Sequence, residues 1–231
     1  MRINKYIAKT GFASRRKSEE YIKNGKVFVN GNKLEDLSYQ VKEEDEVKID
    51  GKILKIQKNF YYKLNKPLGY ISSNYDPHNE KDLNKLLDID ERFFCAGRLD
   101  KDSHGLMIIT NDGKITNKII HPSKKIDKIY IVKVDKKLTP YQEKIFMDGV
   151  KLSQKEITSD AKISLIDKEK ITYKVTIHQG YNRQIRRMFE YFKIKVLDLK
   201  RIKIGQICLD DLKDGDYKKL SKKEVEYLES L

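Results

Sequence analysis

The sequence predicts an α+β protein with two domains: a small α/β module at residues 1–58 and a larger domain at residues 61–231 with a mixed, mainly antiparallel sheet. Three observations lead to this prediction. The apolar spacing changes from helical to alternating within the first module, a short linker follows it, and the remaining apolar runs are short and separated by turn residues. Such runs favour antiparallel hairpins over regular βαβ units.

The first module begins with helical spacing and continues with strands. Apolar residues from Ile3 to Ala8 follow a helix that stops at Gly11, and Ser14 is predicted to cap a second helix that ends at Gly25. Val27-Phe28-Val29 then alternates into Asn30-Gly31, a tight-turn signal. Further short strands are predicted at 47–49 and 53–56.

The second domain is predicted to contain many strands and a few helices. The predicted elements are a strand–bend–strand unit at 61–71, a polar loop at 72–81, a short helix at 83–87, strands at 106–110 and 130–134, helices at 114–120 and 139–148, paired strands at 157–166 and 171–178, a helix at 183–192, and strands at 196–199 and 202–207. A polar C-terminus without a predicted element follows them.

The composition indicates a polyanionic partner. Forty-nine Lys and Arg against 35 Asp and Glu leave a net charge of +14, which favours nucleic acid. We expect no membrane partner, because no apolar run approaches the roughly 20 residues that span a bilayer. Two isolated cysteines and four scattered histidines form no disulfide framework or metal-ligand pattern. We therefore expect a cytoplasmic monomer with reduced cysteines and without metal or cofactor.

Basic residues are concentrated in two stretches. Residues 1–33 contain nine basic and two acidic residues, and residues 178–204 contain eight basic and two acidic residues. The first stretch includes Ser14-Arg15-Arg16-Lys17, where basic side chains meet the amide groups of a helix start, an arrangement suited to RNA phosphates. A solvated basic helix without a ligand is the alternative interpretation of this charge.

Two further segments carry candidate chemistry. In Gly97-Arg98-Leu99-Asp100-Lys101-Asp102-Ser103-His104-Gly105, a carboxylate lies between glycines just before the apolar run 106–109. In Gln179-Gly180-Tyr181-Asn182-Arg183-Gln184-Ile185-Arg186-Arg187, three arginines meet at a predicted helix start. Each segment alone also fits a structural role, as a turn or as a phosphate-binding helix start without catalysis.

The first module resembles a known RNA-binding domain. The order helix, Ser-Arg-Arg, helix and Gly-x-Val-x-Val-Asn-Gly is similar to the alpha-L (S4-type) domain of a ribosomal small-subunit protein and of several RNA-modifying enzymes. The resemblance covers about residues 1–50 and implies that this module docks RNA.

The larger domain resembles the pseudouridine synthases through three segments: the Gly97 loop, Lys128-Ile129-Tyr130 and the arginine-rich helix start. It is most similar to the branch with the small-subunit enzyme and the B, E and F large-subunit rRNA enzymes, and above all to the F type. In this family Asp100 would be the nucleophile, Tyr130 would stack on the target base, and Arg186 would accompany the aspartate. His104, Ile129 and Tyr181 depart from the usual motifs.

The resemblance implies isomerisation of a specific uridine in large-subunit rRNA or a pre-ribosomal particle, without a cofactor. Burial penalises a charged carboxylate, so we expect Arg186 within about 4–6 Å of Asp100, where it would favour the ionised form. Whether Asp100 attacks the base or the anomeric carbon stays open. The predicted RNA contacts are Arg2, Lys5, Ser14, Arg15, Arg16, Lys17, Arg98, Lys128, Asn182, Arg183, Arg187 and Arg201.

Three alternatives compete with this interpretation. A noncatalytic ribosome-assembly factor could keep the fold and bind RNA, and the same chemistry could act on small-subunit rRNA or on a tRNA. Hydrolysis of a glycosidic or phosphodiester bond is less well supported, because most glycosidases need a second carboxylate and metal-dependent hydrolases need clustered ligands. Only Asp102 offers a second carboxylate near Asp100.

Overall fold

The computed structural model describes residues 1–73 and 81–231 and divides the chain into two compact units. One unit comprises Met1–Phe60 and Ile89–Phe93, and the other comprises Tyr61–Asp88 and Phe94–Leu231. The short return at Ile89–Phe93 carries no pattern that the sequence analysis could read. It joins the first unit through Arg92, whose Nη1 donates to the Ala13 carbonyl at 2.8 Å.

The first unit packs two helices with a small antiparallel sheet of order β2-β1-β3-β4. Its elements are α1 (Ile3–Lys9), α2 (Arg15–Lys23), β1 (Val27–Val29), β2 (Asn32–Lys33), β3 (Val47–Ile49) and β4 (Lys52–Ile53). Ser14 caps α2 as predicted, since its hydroxyl accepts from the Lys17 amide at 3.1 Å. The core lies between the helices and the sheet and includes the fully buried Ile3, Ile7 and Val47.

The second unit is built on a nine-stranded sheet. The order along its main path is β13-β5-β7-β11-β8-β10-β9, with β6 paired to β7 and β12 paired to β11. The strands are β5 (Tyr61–Lys66), β6 (Phe94–Ala96), β7 (His104–Thr110), β8 (Lys128–Val134), β9 (Lys162–Asp167), β10 (Thr172–Ile177), β11 (Val196–Ile204), β12 (Ile207–Cys208) and β13 (Tyr217–Lys219).

The pairing in this sheet is mainly antiparallel, as predicted. Among the described strands, β7 and β11 form the one parallel pair, with His104 opposite Lys200 and Gly105 opposite Arg201. The α-helices are α3 (Gly113–Ile120), α4 (Pro140–Asp148), α5 (Gln184–Glu190) and α6 (Lys222–Ser230), and 3₁₀ turns occupy Leu83–Lys85 and Pro122–Lys124. No helix in the described ranges is long and apolar enough to cross a membrane.

The structure corrects several predicted elements. The second strand expected before residue 71 does not form, because Gly69 turns away at φ +84° and its amide donates to the Lys101 carbonyl at 2.9 Å. The predicted strands 196–199 and 202–207 are instead the continuous β11 and the short β12. Of the predicted loop at 72–81, residues 74–80 lie outside the described residues.

The C-terminus, predicted to lack structure, contains β13 and α6. Ser221 and Glu224 form a capping box at the start of α6, and Leu228 is 1% exposed. The sequence Ser-x-x-Glu before an apolar residue is a helix-start pattern. The helix was not predicted because Lys and Glu are frequent in this segment and its apolar residues are few.

Candidate active site

The loop between β6 and β7 carries Asp100 and is held at both ends by hydrogen bonds. Gly97 begins it at φ +81°, and the buried Leu99 exchanges hydrogen bonds with Ser72: its amide donates to the hydroxyl at 3.0 Å, and the hydroxyl donates to its carbonyl at 2.6 Å. The Ser103 amide closes a turn on the Asp100 carbonyl at 3.1 Å. The main chain around Asp100 is therefore held in place, and the residue itself is half-buried.

The three sequence motifs meet at one cavity of about 720 Å³. Asp100 from the loop, Tyr130 from β8 and the 180–185 segment before and in α5 all contribute to its lining. Tyr130 is only 7% exposed and pairs with Val175 on β10 and Arg201 on β11, so its strand is fixed from both sides. The cavity falls within the 300–1,000 Å³ range of small-molecule sites, which is enough for one nucleotide base.

The helix start beside the cavity is arranged by Arg183 and Gln184. Arg183 precedes α5 in the left-handed conformation at φ +49°, an unusual one for a residue with a side chain. The side-chain oxygen of Gln184 accepts from the Tyr181 amide at 3.1 Å and fixes the turn. This geometry directs the exposed Asn182 and Arg183 to the cavity lining.

The predicted ion pair between Asp100 and Arg186 is not the contact that the structure shows. Arg186 Nε lies 3.3 Å from Asp102 Oδ2, without hydrogen-bond alignment, and Nη2 donates to the Asp102 carbonyl. Arg183 binds the same carboxylate through two hydrogen bonds of 2.9 and 2.8 Å. The Arg183 hydrogen bonds hold the pKa of Asp102 below its usual range. Sequence spacing could not distinguish two carboxylates that are two positions apart.

Asp100 is surrounded by cations that do not touch it. In the described part of the chain, no side-chain ion pair of 4 Å or less and no side-chain hydrogen bond reaches the Asp100 carboxylate. Its charge nevertheless favours the charged forms of Lys66, Arg183 and Arg186. The carboxylate is thus left available to a ligand within a positive field.

Lys66 is a buried cation beneath this loop that the sequence analysis missed. It is fully buried at the end of β5, and Nζ donates to the Ser103 carbonyl at 2.8 Å and the Pro67 carbonyl at 3.0 Å. Burial lowers the pKa of Lys66 to about 8, and the charges of Asp100 and Asp102 oppose this shift. The sequence feature that could have revealed it is the position of this lysine, which is the last residue of a predicted strand and directly precedes the Pro-Gly bend.

Two predicted RNA contacts are turned inward instead. Arg201 is 1% exposed, and its Nε and Nη2 donate to the carbonyls of Leu106 and Gly97, both at 2.7 Å. Lys128 is 6% exposed, and burial lowers its pKa to about 8. Both residues border the cavity, but their side chains donate to main-chain carbonyls. A surface contact to phosphate would instead have its donors exposed to solvent.

The remaining predicted RNA contacts divide into three groups. Arg98 is exposed at the cavity, like Asn182 and Arg183. Arg187 lies outside the cavity lining and pairs with Glu156 at 2.8 Å. In the first unit, the exposed residues are Arg2, Arg15, Arg16 and Lys17, whereas Lys5 and Ser14 are partly buried.

No metal site is formed by the described residues: no cluster of three or more His, Cys, Asp or Glu side chains there could hold an ion. Cys95 borders the cavity as a free thiol, and burial raises its pKa to about 12. The thiol is therefore protonated at neutral pH and unsuited to nucleophilic attack.

Comparisons with known proteins agree in both units. The family model described as RNA pseudouridylate synthase matches residues 60–191, and the S4 domain model matches residues 1–47. The chain is 39% identical over 236 residues to ribosomal large subunit pseudouridine synthase B of Bacillus subtilis (strain 168), covering 100% of this chain and 96% of that protein.

Two further relatives extend the comparison. The chain is 35% identical to the dual-specificity RNA pseudouridine synthase RluF of Escherichia coli (strain K12), covering 97% of this chain and 77% of that protein. The crystal structure of a pseudouridylate synthase superimposes with a TM-score of 0.73 at 31% sequence identity and covers 99% of each chain. Similarity thus extends over both units in sequence and in structure.

Proposed function

The chain belongs to the RNA pseudouridylate synthase family, and from this membership we propose that it isomerises a uridine of large-subunit ribosomal RNA, with Asp100 as nucleophile. The membership confirms the resemblance found in the sequence motifs. The observation that carries the residue assignment is the common cavity, where Asp100, Tyr130 and the start of α5 meet. The relative from Bacillus subtilis, named as a ribosomal large subunit pseudouridine synthase, supports the choice of RNA.

The chemistry requires three events at one nucleotide. The glycosidic bond to N1 of uracil breaks, the base turns over, and a carbon–carbon bond from C5 to the sugar forms, after which C5 loses its proton and N1 takes one up. Asp100 supplies a carboxylate for the covalent step, at the base or at the anomeric carbon. The Asp100 carboxylate makes no side-chain hydrogen bond or ion pair among the described residues, which leaves both oxygens available, and it lies in the positive field of Lys66 and Arg183.

Tyr130 is proposed to hold the target base. Stacking of a base on an aromatic ring contributes about 1–3 kcal/mol, comparable to the few kcal/mol that unstacking a base from its helix costs. The tyrosine is 7% exposed and its strand is paired on both sides, so the ring needs little ordering when a base enters. Tyr130 thereby offsets part of the cost of extracting the base.

Arg186 is proposed to act on this site in its observed position. It is held by Asp102, while the charge of Asp100 contributes to its electrostatic environment. Through Asp102, Arg186 joins α5 to the loop that carries Asp100.

The RNA is proposed to contact both units. Residues 1–58 would act as the RNA-docking domain through Arg15 and Arg16 at the start of α2, and residues 61–231 would act as the catalytic domain, with Arg98 at the cavity. A net charge of +14 supports attraction to a phosphate backbone. Action on small-subunit rRNA or a tRNA instead would appear as a different modified uridine in the test below.

The proposal is tested by Asp100→Asn in a strain that lacks the gene. Ribosomal RNA from this strain, complemented with wild-type or variant protein, is treated with carbodiimide and mapped by reverse transcription. We expect a pseudouridine stop in 23S rRNA with the wild type and none with Asp100→Asn, because the amide is nearly isosteric but cannot act as the nucleophile.

Two controls make the outcome decisive. Circular dichroism and RNA binding should be unchanged in Asp100→Asn, which shows that the fold and the RNA-binding surface are intact. Full turnover by the variant would remove Asp100 from the mechanism. If the wild-type protein restores no pseudouridine in any RNA of the strain, the noncatalytic assembly-factor interpretation is favoured instead.

A further inference from the structure

A second groove lies beside the catalytic cavity in the same unit. Its volume is about 910 Å³, and it is lined by the Leu68–Gly69 turn, the Asp100 loop at residues 101–102, one side of α5 and residues 193–198. Lys101 and Arg183 line both the groove and the cavity. The two spaces are therefore neighbours that share a basic wall.

The substrate of the proposed function makes this adjacency informative. A uridine that is isomerised within an RNA strand keeps its phosphates, so the next nucleotide must lie directly beside the cavity. The shared wall offers what the intervening phosphate needs: Lys101 is exposed, and Arg183 uses one N–H of each terminal nitrogen to bind Asp102, which leaves other donors of its guanidinium.

The groove also provides apolar surface for a base. Leu68 and Leu197 come from two different segments of its lining, and each is 52% exposed. Bases that leave the helical stack expose apolar faces, and RNA recognition commonly covers them with protein side chains. Two half-exposed leucines beside a phosphate-binding wall form such a surface.

Two carboxylates add hydrogen-bonding preference. Glu190 and Asp198 both line the groove. Glu190 is exposed at the end of α5, and one oxygen of Asp198 lies 3.0 Å from His104 Nε2. Carboxylates accept hydrogen bonds from the exocyclic amino groups of bases, as Glu and Asp do from cytosine N4. Uracil has no amino group and offers a carboxylate only its N3–H, so this lining favours a base with an exocyclic amino group over a second uridine.

We propose that the groove binds the base of a nucleotide adjoining the target uridine, a base with an exocyclic amino group that packs on Leu68 and Leu197 while Lys101 and Arg183 hold the linking phosphate. This assignment rests on the proposed function, because it requires a target nucleotide in the cavity. It gives the enzyme a means of selecting a uridine by its neighbour.

The test combines a changed RNA with a changed protein. The RNA is a short stem-loop copied from the sequence around the modified uridine, with an abasic nucleotide placed on its 5′ side in one version and on its 3′ side in another. Single-turnover rates are measured at subsaturating protein. We expect one of the two abasic versions to lower the wild-type rate by about tenfold, which corresponds to about 1.4 kcal/mol of lost contact with the groove.

Leu197→Ala is the diagnostic variant, and Ile166→Ala is its matched control. Leu197 and Ile166 are both 52% exposed, but Ile166 lies on β9 and does not line the groove. Leu197→Ala should convert the intact RNA more slowly than the wild type does. Its rate on the abasic RNA should be lower than its rate on the intact RNA by only about twofold or less. Ile166→Ala should keep the full tenfold loss.

A base substitution tests the amino-group preference. Replacing the same neighbour by uracil should slow the wild type several-fold, whereas Glu190→Gln, which can donate to a uracil carbonyl, should reduce this difference. Loss of the difference in Glu190→Gln supports the assignment of the carboxylate.

The failures are distinguishable. If no version of the RNA is converted by the wild type, the proposed function is at fault. If conversion proceeds but the wild type converts both abasic versions as fast as the intact RNA, the groove does not bind the neighbouring base. The same conclusion follows if the abasic change lowers the rates of Leu197→Ala and Ile166→Ala by the same factor.

Discussion

At the scale of single residues, two carboxylates two positions apart have different environments. Asp102 binds Arg183 through both oxygens and also contacts Arg186, whereas Asp100 faces the cavity. The side chains of Asp102 and Arg183 are 47% and 43% exposed, so their ion pair adds little to stability. Its geometric effect is larger, because it joins the Asp100 loop to the start of α5.

Asp102→Asn should therefore impair turnover more than RNA binding. Loss of the bidentate pair frees Arg183 and loosens the loop, and we expect kcat to fall on the order of tenfold, since small misplacements of reacting groups are costly. RNA affinity at low salt should stay equal or increase, because one negative charge is removed. Single-turnover kinetics and filter binding measure the two quantities.

Asp211→Asn is the matched control for this change, since Asp211 is exposed and lines neither the cavity nor the groove. It removes the same charge and should leave kcat unchanged. A weaker affinity with normal kcat in Asp102→Asn would show that Asp102 does not position the loop.

At the scale of elements, the parallel pair of β7 and β11 joins the parts of the site. The Asp100 loop enters β7 at His104, and β11 carries Arg201, which holds the Gly97 and Leu106 carbonyls. The strands approach so closely that a Cβ on Gly105 would lie 2.2 Å from the Arg201 carbonyl oxygen. Glycine at 105 is thus required by the contact as well as by its φ of +103°.

Gly105→Ala should destabilise the second unit. Overpacking typically costs about 1–3 kcal/mol, and each kcal/mol lowers Tm by about 2–4 °C in a domain of this size, so we expect a decrease of about 2–12 °C. Thermal unfolding followed by circular dichroism measures it. Gly180→Ala is the control, since no neighbouring atom lies within 4 Å of its Cβ and its φ is not positive; equal melting of the two variants would contradict the close approach.

At the scale of the whole molecule, we propose that positive charge is divided between RNA docking and chemistry. Arg15 and Arg16 are exposed at the start of α2, in the unit that matches the S4 domain. Arg186 is half-buried beside the candidate active site, and burial lowers its pKa. Exposed cations act on RNA affinity through counterion release, whereas a buried cation acts on the groups next to it.

The double variant Arg15→Gln/Arg16→Gln should weaken RNA binding and reduce the slope of log K against log salt by about 1.4–1.8, or 0.7–0.9 for each lost phosphate contact. Turnover at saturating RNA should be unchanged. Arg186→Leu should show the opposite division, with kcat reduced more than affinity. Binding titrations at several salt concentrations and saturating kinetics separate these effects.

Lys168→Gln/Lys170→Gln is the control for charge alone, because both lysines are exposed at the turn between β9 and β10. It removes the same two charges and should change the slope by less. A loss of affinity alone in both arginine variants would contradict the division between docking and chemistry.

The sequence by itself determined the elements that depend on local signals. Ser14 caps α2, the Thr139 cap begins α4, and the alternation at 130–134 belongs to β8, because each pattern is set by neighbours within a few residues. The motifs also indicated segments that line one cavity, since glycine turns and a basic helix start can be recognised without the rest of the fold.

Only the tertiary structure decided which charged groups meet and which are buried. Arg186 contacts Asp102 rather than Asp100, and Arg201 and Lys128 face main-chain carbonyls rather than solvent. These partners lie up to 104 residues apart in the chain, as Arg201 and Gly97 do. Their contacts follow from strand order and register, which bring distant residues together and which local patterns do not encode.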